Sequence, residues 1–230
     1  MSAAEAEHPR SIRSFVTRAG RITEAQQRAL ESSWPKFGVE FDAQPLDLDA
    51  LFGRHAPHVI EIGFGNGENL ATLATAHPDR NYLGIEVHRA GVGRLMLAAE
   101  TGKLANVRIA CHDAVEVVEH QLQPQSLDEV LILFPDPWHK KRHHKRRLIQ
   151  TPFVDLVVTR LKSGGLLRLA TDWEPYAVQM LEVLGACPAL KNLSRSEGFM
   201  EGPTERITTR FEKRGTRLGH GVWDLAFQRR

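Results

Sequence analysis

The chain has 230 residues, 42% hydrophobic and 25% charged, proportions of a soluble globular domain large enough to bury a core. Its 30 Lys and Arg nearly cancel its 28 Asp and Glu, so total charge neither favours nor excludes a polyanionic partner. The two cysteines, Cys111 and Cys187, are far apart, which excludes a cysteine-clustered metal site or a disulfide framework and fits a reducing cytoplasm. No apolar run reaches the roughly 18–20 residues needed to span a bilayer, and the first residues carry no apolar signal core. A cytoplasmic protein with no membrane association and no metal is expected.

In chain order, the first feature is charge. Positions 10–28 hold five arginines and one acid, Glu24, and residues 1–37 read as a basic, partly helical extension. Residues 38–230 read as one domain. From about residue 58, short apolar runs alternate with helix-length segments, the pattern of a parallel α/β sheet. Strands are predicted at residues 58–62, 82–87, 107–111, 129–134 and 166–170, some continuously apolar as in VLILF, as expected where helices cover both faces. Thr151-Pro152 predicts a helix start, with Gly164 as its stop. Tyr176, Ala177, Met180, Leu181 and Leu184 predict a second helix, stopped by Gly185. The alternation of Ile207, Thr209 and Phe211, followed by GVWDLAF, predicts a terminal antiparallel hairpin. The expected fold is α/β and Rossmann-like: a mostly parallel seven-stranded sheet with helices on both faces.

Glu61-Ile-Gly63-Phe-Gly65-Asn-Gly67 lies between the first predicted strand and a helix, where glycines let backbone approach a ligand. The third glycine comes one residue earlier than in the dinucleotide fingerprint. An acid beside the turn suits the ammonium of S-adenosylmethionine better than a pyrophosphate. Glu86 ends the second strand, where a carboxylate meets ribose hydroxyls, and Asp113 follows the third, beside an adenine amino group. Each acid also has a plain alternative as a helix cap or solvated loop residue.

The fourth strand runs into Phe134-Pro-Asp136-Pro-Trp138-His139, followed by KKRHHKRR. The prolines restrict Asp136 to extended or turn backbone. Trp138 is placed to stack on a base and the basic run to hold phosphates, the alternative being a rigid loop and a solvated charged face. Asp172 follows the fifth strand, again as a site acid or a helix cap.

The segments IEIGFGNG, GIEVHRAGVGRL, LFPDPWHKKRHHKRR, ATDWEPYA and TTRFEKRGTRLGHGVWDL, with SFVTRAGRIT near the start, resemble the signature blocks of the tRNA (guanine-N7-)-methyltransferases. The resemblance implies a class I methyltransferase that uses S-adenosyl-L-methionine, yields S-adenosyl-L-homocysteine and modifies guanine 46 in the tRNA variable loop. By it, Glu61, Gly63, Gly65, Gly67, Glu86, Asp113 and Asp136 bind the cofactor, and Asp136 is also the active-site acid. Lys140, Asp172, Thr209, Arg210, Phe211 and Glu212 contact the substrate guanosine. Arg142, His143, His144, Lys145, Arg146 and Arg147 contact RNA. A monomer without an obligate protein partner is expected. A nucleotide-dependent oxidoreductase, a silent RNA-binding scaffold and methylation of another RNA or a small molecule are the competing readings.

Overall fold

The computed structural model describes residues 13–16, 21–196, 198–202, 206 and 221–230. Thr23-Glu-Ala-Gln26 forms a reciprocal capping box that opens helix α1 (Glu24–Ser32): each side chain accepts the other residue's backbone N–H. The short α2 (Trp34–Phe37), strand β1 (Gly38–Val39) and α3 (Leu48–Phe52) follow. The alternating part comprises β2 (His58–Ile62), α4 (Glu68–Ala76), β3 (Asn81–Ile85), α5 (Arg89–Thr101) and β4 (Val107–Ala110). Next come the single turn α6 (Ala114–Glu116), a π-helical turn (Val117–Gln121), β5 (Leu127–Leu133) and a 3-10 helix (Lys141–Arg146). Finally come α7 (Thr151–Arg160), β6 (Leu161–Thr171), α8 (Glu174–Gly185), β7 (Leu190–Asn192) and β8 (Trp223–Arg229).

One sheet runs in the order β1-β4-β3-β2-β5-β6-β8-β7. The pairs from β1 to β6 are parallel, and β8 is antiparallel to both β6 and β7. β2 is the central strand: the chain first builds towards β3 and β4, then returns to β2's other side with β5. This reversal opens a crevice at the carboxyl ends of the strands. Successive strand residues face opposite sides, so Ile60 and Ile62 join a core with Ile132, Leu169, Val157 and Met180. Val59 joins a second core with Leu131, Leu70, Leu95 and Phe37. Helix α1 packs on α5, and Ala29, Leu30 and Phe37 enter that second core, so residues 24–37 of the expected extension carry core side chains.

Among the described residues the sheet has eight strands, where seven were expected of the whole chain. Two of these strands were not predicted: β1, whose two residues pair with Ile109 and Ala110 and are too short to show a period, and the three-residue β7. GVWDLAF does become a terminal antiparallel strand, β8, flanked by β6 and by β7 (Leu190–Asn192); positions 207–212 lie outside the described residues. Helix α7 is capped at Gln150, one residue before Thr151, and ends at Arg160 rather than Gly164. Leu161 turns extended there to pair with Leu127, and Gly164, at φ +80°, lies inside β6.

Candidate active site at the carboxyl edge of the sheet

The turn after β2 places Gly63, Gly65 and Gly67 all at positive φ, 71°, 57° and 73°, which side chains with a Cβ rarely adopt. Gly67 caps α4. The turn is held from the neighbouring strand by Glu86: its Oε2 accepts the Gly65 N–H at 2.9 Å, and its Oε1 accepts from Val87 and His88 at 2.7 and 2.9 Å. Three of the carboxylate's roughly four acceptor positions are therefore used by backbone. Gly91 on α5 completes the arrangement: a Cβ there would stand 2.0 Å from the Gly65 carbonyl oxygen. The sequence reading missed this residue, although glycine at both 91 and 93 inside a helix is a detectable signal, since helix-interior glycine is disfavoured. Overpacking of this kind costs about 1–3 kcal/mol, so if the turn holds a cofactor as the sequence leads one to expect, Gly91→Ala should weaken its binding roughly tenfold or more. Calorimetric titration checks this; unchanged affinity would mean that the turn shifts freely.

One cavity of about 160 Å³ opens beside this turn, lined by Gly63, Glu86, Asp113 and Asp136 together with apolar Ile62, Ile85, Val87, Ala114 and Leu148. The acids thus come from the ends of β3, β4 and β5. Asp113 is also a helix cap, its Oδ1 accepting the Val115 N–H at 3.0 Å, so the two readings of that residue coexist. Burial raises its pKa above the ordinary aspartate value. Glu61 does not line the cavity. It lies behind the turn, 3% exposed, and accepts from Asn69 Nδ2 at 3.1 Å. Burial, offset by Asn69 and reinforced by Glu86, pushes its pKa up to about 7. Sequence reasoning also missed His112, stacked on Phe41 at 3.9 Å, and Ser14 and Phe15, which line the cavity from the N-terminal segment.

The loop after β5 is strained. Phe134 and Trp138 have φ of 52° and 47°, and they bracket Pro135, the exposed Asp136 and Pro137. Bulky residues in this region cost of order 1–3 kcal/mol each and persist only where their surroundings hold them. Phe134 N–H donates to Ala170 O at 2.8 Å. Trp138 Nε1 donates to Ser14 O at 2.9 Å, and the Arg146 guanidinium lies 3.9 Å over its ring. One face of the indole expected to stack on a base is therefore covered by protein. His139 meets Trp173 edge to face at 4.3 Å, joining this loop to the one after β6, where Asp172 is half-buried. The cap of α8 is Trp173, so Asp172 is not a helix cap.

The basic run forms the 3-10 helix. Lys140, Lys141, Arg142 and Lys145 are exposed, and His143 and His144 half-buried. Partial burial and the surrounding cations hold His143 below the usual histidine range. Arg146 donates from Nε to Arg13 O and from Nη2 to Phe15 O, holding the N-terminal segment over the cavity. Arg147 is buried, against expectation, because its partners lie on α8 and the Asp136 loop. Thr209, Arg210, Phe211 and Glu212 lie outside the described residues. Among the described residues no cluster fit to hold a metal ion occurs, and no helix is long and apolar enough to cross a membrane.

A doubly wound sheet with a glycine turn after its central strand and acids at the next strand ends defines a Rossmann-like class I methyltransferase. A family model described as "Putative methyltransferase" matches residues 55–225. The chain is 56% identical over 221 residues to the tRNA (guanine-N(7)-)-methyltransferase of Yersinia pestis (strain Pestoides F), covering 96% of this chain and 92% of that protein. It is 55% identical to the enzyme of the same name from Serratia proteamaculans (strain 568), with the same coverage. The chain belongs to the tRNA (guanine-N(7)-)-methyltransferase family. A mutant 16S rRNA (adenine(1408)-N(1))-methyltransferase from Catenulisporales acidiphilia, solved with its cosubstrate SAM, shares the fold: TM-score 0.56, 18% identity, over 83% of this chain and 92% of that one.

Proposed function

We propose that the chain, acting as a cytoplasmic monomer, transfers the methyl group of S-adenosyl-L-methionine to N7 of guanine 46 in the tRNA variable loop and leaves S-adenosyl-L-homocysteine. The observation that carries this reading is that Glu86, Asp113 and Asp136, from three successive strand ends, line one cavity in a chain of this family.

The residues fit the cofactor. Glu86 keeps an acceptor position for a ribose hydroxyl beyond its three backbone bonds, and Asp113 keeps Oδ2 for an amino group. Glu61, buried behind the glycine turn and outside the cavity lining, takes the cofactor's ammonium on the strength of the family resemblance rather than of its place in the cavity. When bound, the cofactor supplies a methyl carbon on positively charged sulfur. Guanine N7 carries a lone pair and no proton, so no residue needs to act as a general base. The protein's tasks are alignment and charge stabilisation. Asp136, with Asp172 on the adjoining loop, accepts from the guanine N1–H and exocyclic amine and stabilises the positive charge that develops on the purine. Lys140 and the segment Thr209, Arg210, Phe211 and Glu212 complete the guanosine site. Arg142 and Lys145, with His143 and His144 beside them, face the RNA backbone.

Because Glu61 in the free protein titrates near 7 and must be ionised opposite an ammonium, binding is coupled to loss of its proton. Affinity is expected to rise with pH up to about 7 and then level, with proton release on binding at pH 6 and little at pH 8. The same raised pKa makes Glu61 reduce folding stability as pH rises from its unfolded value to about 7, since the unfolded chain gives up that proton first. Calorimetry in buffers of different ionisation enthalpy checks the coupling. A Glu61→Gln variant should lose the pH dependence, and a pH-independent wild type would remove Glu61 from the ammonium site.

The test of the reaction is incubation with unmodified tRNA transcript and methyl-labelled cofactor, followed by mild reduction and aniline. One cleavage in the variable loop is expected. Label without cleavage would discard the N7 assignment, and no label despite cofactor binding would leave an RNA-binding scaffold.

A further inference from the structure

The basic run divides into cations that face solvent and cations that face the protein. Lys140, Lys141, Arg142 and Lys145 are exposed, whereas Arg147 is 3% exposed. Its guanidinium makes contacts in several directions. Nε donates to Pro137 O at 2.9 Å, Nη1 to Gln179 Oε1 at 2.6 Å and to Pro175 O at 3.5 Å, and Nη2 lies 3.2 Å from His144 Nε2. The guanidinium plane lies over the Tyr176 ring at 4.7 Å, and the Tyr176 hydroxyl accepts the Ile149 N–H at 3.0 Å. A cation is costly to bury unless its N–H groups are matched, and here they are matched by carbonyls, an amide and an imidazole.

The contact at Pro137 is one residue beyond Asp136 and inside the stretch bounded by the two left-handed residues, Phe134 and Trp138. Strained backbone holds its shape only where it is braced from outside. The braces here are Ala170 O at Phe134, Ser14 O at the Trp138 side chain and Arg147 between them. α8, which supplies Gln179, Tyr176 and Pro175, therefore reaches the Asp136 loop through one side chain. We propose that Arg147 is a positioning residue that fixes the backbone carrying Asp136 in register with the cavity, and that it makes no contact with RNA.

A planar fork is needed for this task. Lysine preserves the charge, and hence any attraction to phosphate, but cannot donate to Pro137 and Gln179 together in this geometry. Arg147→Lys thus separates a positioning role from an electrostatic one. The proposal rests on the methyl-transfer reading, and the experiment keeps the two apart.

Single-turnover methyl transfer at saturating tRNA, and tRNA binding over a range of salt, would be measured for wild type, Arg147→Lys and the double variant Arg142→Gln/Lys145→Gln. Small misplacements of a reacting group cost up to about 10²-fold, so Arg147→Lys should slow transfer by roughly 10- to 100-fold. Its tRNA affinity and salt slope should match wild type. The double variant should bind tRNA more weakly and lose roughly 1.5–2 from the salt slope, the mark of two lost phosphate contacts. Gln179→Leu takes away one of the partners on α8 without touching the basic run, and is expected to slow transfer to a smaller extent with binding unchanged. That variant decides the matter if Arg147→Lys does not unfold cooperatively. A wild-type rate in Arg147→Lys and Gln179→Leu, in which the charge is kept, would overturn the proposal, since charge alone would then account for the residue. If wild type places label at another atom, the N7 reading fails, while the ratio of variant to wild-type rates still decides the role of Arg147.

Discussion

Asp136→Ala is expected to lower the single-turnover rate of methyl transfer by about 10²–10³, the range found when one preorganised stabilising group is removed from an active site. Its tRNA affinity should stay within about threefold of wild type, since the phosphate contacts we propose are made by exposed cations on the neighbouring 3-10 helix. Asp136 is exposed at the mouth of the cavity and is held between two prolines, so the substitution removes a carboxylate without opening a hole in the core. Asp136→Asn should be less severe, because the amide oxygen still accepts a hydrogen bond but offers no negative charge to the purine. Rapid-quench transfer from labelled cofactor, paired with filter binding of tRNA and calorimetry of the cofactor, separates the contributions. If the loss of rate is fully recovered at saturating cofactor, Asp136 acts in binding the cofactor and not in orienting the guanine.

Glu86→Gln should have a comparably large effect on a different quantity. The carboxylate accepts three backbone N–H groups, from Gly65, Val87 and His88. An amide in its place must point its NH₂ group at one or two of those donors, whichever way it is turned. A buried donor left unsatisfied costs about 1–3 kcal/mol, and the bond we propose to a ribose hydroxyl would be weakened as well, so cofactor Kd should rise by roughly 10²-fold. Transfer at saturating cofactor should be affected less than binding. Calorimetric titration of wild type and variant gives the comparison directly. An affinity within threefold would mean that the glycine turn keeps its shape without the carboxylate.

The parts of the site legible in the sequence were those whose geometry is local to one strand end. A strand that finishes at Ile62 delivers its glycines to the carboxyl edge, and the next strands deliver Glu86 and Asp113 to the same edge. Where the strand stops was less legible. Residues 82–87 read as one strand, yet β3 ends at Ile85, because the N–H groups of Val87 and His88 are taken by the Glu86 side chain and not by a neighbouring strand. The two-residue β1 has no period to detect and depends wholly on β4 for its existence. The orientation of the basic run was illegible for another reason. Six cations in eight positions carry no alternation, and Arg147 turns inward only because Tyr176 and Gln179, 29 and 32 residues later, are waiting on α8. Ser14 and Phe15 reach the cavity through Trp138 and Arg146, more than 120 residues away, which no local pattern encodes.

The position of β8 between β6 and β7 has a consequence for how the protein is made. Ribosomal synthesis delivers β6 first and β7 next, but among the described residues β7 pairs only with Trp223–Arg229, the strand added last between them. Through that interval β6 presents an open edge, whose unpaired backbone groups can pair with another chain. The closing strand joins residues as far apart as Leu166 and Gln228, so its docking waits on a long loop closure. The nascent chain is therefore most exposed to misassembly late in translation, after its cofactor-facing half is complete.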